Sequence, residues 1–81
     1  MLVTVRLFAR LREIVGGQEL QIDVPDGAQV RAVWAALTAR HPELAAYERT
    51  ISCAVNEDYA RMSATLRDGD EVAFLPPVSG G

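Results

Sequence analysis

Lysine is absent from this 81-residue chain. All eight basic residues are arginine, at positions 6, 10, 12, 31, 40, 49, 61 and 67. With no side-chain amine the chain cannot form a Schiff base, nor accept an isopeptide bond on a lysine of its own. A single cysteine, Cys53, leaves nothing to pair with it inside the chain and points to a reducing compartment, the cytoplasm. That cysteine and the one histidine, His41, fall short of the four N/S ligands of a structural zinc site. No apolar run approaches the ~18 residues of a membrane span. The opening Met1-Leu2-Val3-Thr4-Val5-Arg6 lacks the basic-then-apolar layout of a signal peptide. Positive charge is scarce: 8 basic residues face 11 acidic ones, for a net charge of −3. That balance argues against nucleic-acid binding, which depends on neutralising phosphates. Gly16-Gly17 is not followed by the Lys-Ser/Thr of a phosphate-binding loop, so no ATP site and no bound cofactor are expected.

What is present is apolar patterning. Hydrophobic residues make up 49% of the chain, enough for one domain with a small core, since a chain this short buries only about 60% of its unfolded surface. Val3, Val5 and Leu7 alternate with Thr4, Arg6 and Phe8, the period of a strand with one buried face. Leu11, Ile14 and Val15 then fall at helical spacing in a segment of a turn or two, and Gly16-Gly17 closes it. Leu20, Ile22 and Val24 alternate again. After the turn at Pro25-Asp26-Gly27, Val30, Val33, Trp34 and Leu37 form a single apolar stripe. The spacing predicts a helix over 29–40, ended by Pro42. Residues 43–50 read as a loop or short irregular helix. Ile51, Cys53 and Val55 predict a third strand, Asn56-Glu57-Asp58 a turn, and Val72 with Phe74 a last strand after the Asp68-Gly69-Asp70 turn. The order is strand, strand, long helix, strand, strand. It predicts an α+β domain over 1–75, with one mixed sheet covered on one face by the helix.

The strand pattern stops abruptly at Pro76-Pro77 and the chain closes Val78-Ser79-Gly80-Gly81. Prolines donate no ladder hydrogen bond and favour an extended path. From 76 to 81 that path reaches roughly 20 Å at about 3.3 Å per residue. A flexible tail over 76–81 that loses bulk towards its end suits a narrow tunnel in another protein. Gly80 and Gly81 would leave the terminal carbonyl carbon unhindered.

Three stretches together resemble the MoaD branch of the MoaD/ThiS family of ubiquitin-like sulfur carriers. They are Leu7-Phe8-Ala9-Arg10-Leu11-Arg12-Glu13, Ala54-Val55-Asn56, and Asp68-Gly69-Asp70-Glu71-Val72-Ala73-Phe74-Leu75 with the tail that follows. The resemblance spans essentially the whole chain and implies a β-grasp fold. It also implies that the Gly81 carboxylate is the reactive group. A separate ATP-dependent enzyme, resembling ubiquitin-activating enzymes, would adenylate it. A persulfide donor would then convert it to a thiocarboxylate. The sulfur would pass to a pterin precursor in the large subunit of molybdopterin synthase, in an assembly of two copies of each chain. Relatives that feed thiamine thiazole or tRNA thiolation, and ubiquitin-like protein modifiers, share the Gly-Gly end. The Phe74-Leu75-Pro76-Pro77-Val78 lead-in resembles the molybdopterin branch more closely.

On this reading Gly81 carries the chemistry and Gly80 gives access. Phe8, Tyr59, Phe74 and Leu75, with Pro76, Pro77, Val78 and Ser79, are expected to meet the partner. Asp68, Asp70 and Glu71 form an acidic group expected to steer basic partner surfaces. His41 and Cys53 are expected to have structural roles only.

Overall fold

The structure, a computed structural model, describes residues 1–77. Its elements are strand β1 (Leu2–Leu7), helix α1 (Ala9–Val15), strand β2 (Glu19–Asp23) and helix α2 (Val30–Arg40). A 3₁₀ helix (Pro42–Tyr47) follows, then strands β3 (Ser52–Val55), β4 (Asp58–Ala60) and β5 (Glu71–Leu75). The strands form one sheet in the order β2-β1-β5-β3-β4. β1 and β5 run parallel at its centre and every other neighbouring pair is antiparallel. With α2 packed across one face, this is the β-grasp arrangement that the resemblance implied.

Burial follows the alternation in the sequence. Val3, Val5 and Leu7 of β1, Ile22 of β2, and Val72 and Phe74 of β5 all point into the core, and α2 lays Val30, Val33, Trp34 and Leu37 against them. Each such side chain contributes about 1.5–3 kcal/mol on leaving water. Trp34 lies over Phe74 with ring centroids 5.0 Å apart and the planes tilted by 55°, a favoured aromatic geometry.

Local hydrogen bonds set the ends of the helices. Gly16 takes a left-handed φ of +85° and its N–H donates to the carbonyl of Arg12, which stops α1 as the glycine pair predicted. The N-cap of α2, Gln29, offers no side-chain bond. Instead the loop before β5 supplies acceptors: Val30 N–H donates to the Ala64 carbonyl at 3.0 Å and Arg31 N–H to that of Met62 at 2.9 Å. These satisfy two of the four donors that a helix start leaves open.

The stretch read as a loop or short irregular helix over 43–50 contains a 3₁₀ helix over Pro42–Tyr47 that buries Leu44. One element differs from the sequence reading: β4 is a fifth strand. β4 has only three residues and none of them is buried, so it carries no inward apolar alternation to read. It forms because the two-residue loop Asn56-Glu57 folds it back onto β3.

Candidate functional site

The face of the sheet away from α2 carries the candidate site. Parallel pairing sets Arg6 beside Ala73, and antiparallel pairing sets Ala73 beside Ala54 and Ala54 beside Tyr59. One row across four strands therefore runs Arg6, Ala73, Ala54, Tyr59. The two alanines form a low floor and the larger residues rise on either side. The next positions along, Phe8 and Leu75, close one end, and Glu57 and Glu71 stand at the rim. Together these groups enclose a hollow of about 310 Å³.

Its apolar walls face solvent. Tyr59 is 82% exposed and Phe8 39%, while Leu75 and Pro76 are half-buried and Pro77 is exposed. Phe8 stands out because Ala9 takes a φ of +52° and turns the chain sharply from β1 into α1. The Arg6 guanidinium sits 5.9 Å from the centre of the Phe8 ring, within cation–π range. It also faces the Glu71 carboxylate at 3.8 Å. An exposed aromatic and aliphatic patch of this kind is the type of surface at which proteins associate. β5 ends at Leu75, which lines the hollow, so Pro76 and Pro77 follow at its edge. A second groove, of about 480 Å³, lies on the helix side beside Arg31, Trp34 and Met62.

Phe74 requires a correction. It is completely buried beneath Trp34 and belongs to the core, not to a docking surface. Its neighbours in β5 alternate, so Ala73 and Leu75 face outward and Phe74 inward.

The acidic group is not brought together with the hollow as one patch. Asp68 accepts the Leu2 N–H at 2.7 Å, and Gly69 N–H donates to the Leu2 carbonyl at 2.8 Å, which secures the start of β1. Asp70 accepts the Asn56 side-chain amide at 2.9 Å and the Arg67 N–H at 2.8 Å. These bonds hold its carboxyl below the usual carboxylate range, Asn56 contributing most. Both residues sit at the start of β5, the far end from Leu75. Glu71 alone reaches the hollow, and there it pairs with Arg6. Asp68 and Asp70 thus fix the turn before β5 while keeping their negative charge at the surface.

Asn56 links the two regions. Its N–H donates to the Glu71 carbonyl at 2.8 Å, and its side-chain oxygen accepts the Glu71 N–H at 3.0 Å. Cys53 is buried, its Sγ is 3.1 Å from the Ala60 carbonyl, and burial pushes its thiol pKa up. That is the environment of an inert core thiol. His41 caps α2, its N–H donating to the Leu37 carbonyl. Val78, Ser79, Gly80 and Gly81 lie outside the described residues. Among the described residues no three His, Cys, Asp or Glu side chains converge as a metal site, and no helix is long and apolar enough to cross a membrane.

The sequence reading missed Arg6, Ala54, Ala73 and Glu57 as members of the site. Outward parity in β1 and β5 marks Arg6 and Ala73. Their adjacency depends on the parallel β1–β5 pairing, which no local pattern announces.

Comparison with known proteins places this geometry in context. Residues 5–81 match the model of the ThiS family. The chain is 40% identical to the molybdopterin synthase sulfur carrier subunit of Chlamydomonas reinhardtii, over all of both chains. The fold is similar to that of SAMP1 from Haloferax volcanii, with a TM-score of 0.85 and 32% identity over all of both chains. It is also similar to a chain in the complex of subunits 1 and 2 of the molybdopterin-converting factor from Helicobacter pylori. There the TM-score is 0.68 and the identity 26%, again over all of both chains.

Proposed function

The chain belongs to the ThiS family, and on that premise we propose that it is the sulfur-carrier subunit of a molybdopterin synthase. The observation that carries this reading is the end-to-end likeness to a sulfur carrier subunit, which covers the whole of both chains. The likeness to a chain solved with its second subunit supports a large-subunit partner. The exposed hollow beside the end of β5 gives that partner a surface to hold while the tail enters it.

The chemistry proposed for the tail follows from the weakness of a carboxylate as an acyl donor, whose leaving group would be oxide. Adenylation by a partner enzyme converts the Gly81 carboxylate to an acyl-adenylate and releases pyrophosphate. A persulfide sulfur attacks that carbonyl and AMP leaves. Reductive cleavage of the resulting S–S bond by a thiol then leaves the thiocarboxylate. Its sulfur is anionic and polarisable at neutral pH, so it is the nucleophile towards the pterin precursor in the large subunit. Hydrolysis of the acyl–sulfur bond returns the carboxylate. Two such transfers supply the two sulfurs of a dithiolene, which fits an assembly of two of each chain. An ATP-dependent cycle and a chain with a single cysteine both fit the cytoplasm. This chain's own share is to fold stably, dock and present its end, while the catalytic groups belong to the partners.

A second reading, attachment to other proteins through Gly81, is favoured by the likeness to a protein named small archaeal modifier protein 1. One experiment separates the two. The chain is incubated with the adenylating enzyme, ATP, a persulfide donor and a thiol reductant, and its intact mass is recorded. A gain equal to sulfur in place of oxygen supports the carrier. An unchanged mass in that mixture, with covalent adducts to other proteins in cells, would favour the modifier.

A further inference from the structure

The β3–β4 hairpin carries a strain that closing the hairpin does not require. Its loop residues Asn56 and Glu57 have φ of +49° and +71°, the pattern of a two-residue I′ turn. Asparagine tolerates such a φ, but the second position favours glycine, because a side chain there crowds the backbone. At three other turns the chain does place glycine at positive φ: Gly16, Gly27 and Gly69. Among the described residues the exceptions, besides Asn56, are Ala9 and Glu57. A strained non-glycine residue is retained where its side chain has a use.

The Glu57 side chain lines the sheet hollow. The other two charges there, Arg6 and Glu71, face each other at 3.8 Å. Among the described residues Glu57 has no ion-pair partner. The hollow therefore presents one unmatched negative charge near the exposed ring of Tyr59. A carboxylate beside an aromatic ring suits a guanidinium, which donates a planar pair of hydrogen bonds to the one and stacks on the other.

We infer that Glu57 is a specificity-determining residue of the docking face and receives an arginine from the partner's surface. The inference rests on the docking role proposed above and names the chemistry the large subunit brings to it. Like other charges at an interface rim, Glu57 speeds encounter and rejects partners that lack the cation.

The test is binding of the intact chain to the large subunit, at low and high salt, for wild type, Glu57→Gly, Glu57→Gln and Tyr59→Ala. Glu57→Gly relieves the strain, so its thermal midpoint should rise by about 2–4 °C. Its affinity at low salt should fall by about fivefold, and the deficit should shrink at high salt. Glu57→Gln should lose affinity without the gain in midpoint. A residue with a merely structural role would not move stability and binding in opposite directions. Unchanged affinity in both Glu57 variants, with Tyr59→Ala impaired, would overturn this inference and leave the docking face standing. Unchanged affinity in all three variants, or no binding by wild type, would overturn both. Arginine-directed and, in parallel, lysine-directed labelling of the large subunit should show one arginine protected by wild type and less so by Glu57→Gln. Protection of a lysine instead would overturn the assignment to arginine.

Discussion

Replacing Asn56 by glycine and, separately, by alanine tests the clamp between the β3–β4 hairpin and the turn that launches β5. The Asn56 side chain donates to Asp70 at 2.9 Å and accepts from the Glu71 N–H at 3.0 Å. Both bonds are exposed, so each contributes about 0.5–1.5 kcal/mol. Glycine keeps the φ of +49° without strain but loses both bonds and adds about 0.5–1 kcal/mol of backbone entropy. The expected loss is about 2 kcal/mol, or on the order of 10 °C in the midpoint of a domain this size. Alanine loses the same bonds and also bears about 1–2 kcal/mol for a left-handed conformation. It should therefore fall below the glycine variant. Thermal and urea unfolding, each followed by circular dichroism, give both differences. A glycine variant within about 2 °C of wild type would refute the clamp. An alanine variant more stable than the glycine one would refute the strain.

Three further outcomes are expected. Phe74→Ala should cost about 3–5 kcal/mol, a large share of the stability of a small domain, because it empties the space beneath Trp34; a urea midpoint near that of wild type would contradict its place in the core. Asp70 has a folded pKa below its usual value, so its contribution is present above the ordinary carboxylate range and is lost as pH falls through the folded value; the stability of Asp70→Asn should decline less than that of wild type below about pH 4, and parallel acid profiles would contradict this. Deleting Gly81 should leave the thermal midpoint nearly unchanged yet abolish thiocarboxylate formation, since it moves the carboxylate back by about 3.3 Å where about 1 Å can matter ~100-fold; retained formation would refute the role of the terminus.

Strong periodicity made most of the fold legible. The stripe Val30, Val33, Trp34 and Leu37 is the buried face of α2, with Trp34 only 3% exposed, because a lone apolar stripe has to be covered by a sheet. β1 followed its alternation in the same way. β4 escaped because Asp58-Tyr59-Ala60 lies at the sheet edge and buries nothing. The site was legible in part. Phe8, Tyr59 and Leu75 stand around the hollow, where a large apolar residue outside the core pattern is informative. The parity of Phe74 with Val72 points inward, and burial follows it. The turn bonds of Asp68 and Asp70 are not visible in the sequence as such, although short acidic side chains in a turn commonly bond to nearby N–H groups. The alanine floor and Arg6 come together only through pairing between the first strand and the last, and that is a property of topology.

The most direct test of the account is a single turnover. The chain carrying a thiocarboxylate at Gly81 is mixed with the large subunit and the pterin precursor, without ATP or any other sulfur source. The intact mass of the chain and the sulfur content of the pterin are followed together. The account predicts that each thiocarboxylate reverts to carboxylate as one sulfur appears on the pterin. A pterin that gains no sulfur while the thiocarboxylate persists, or a chain recovered joined to another protein through Gly81, would contradict it.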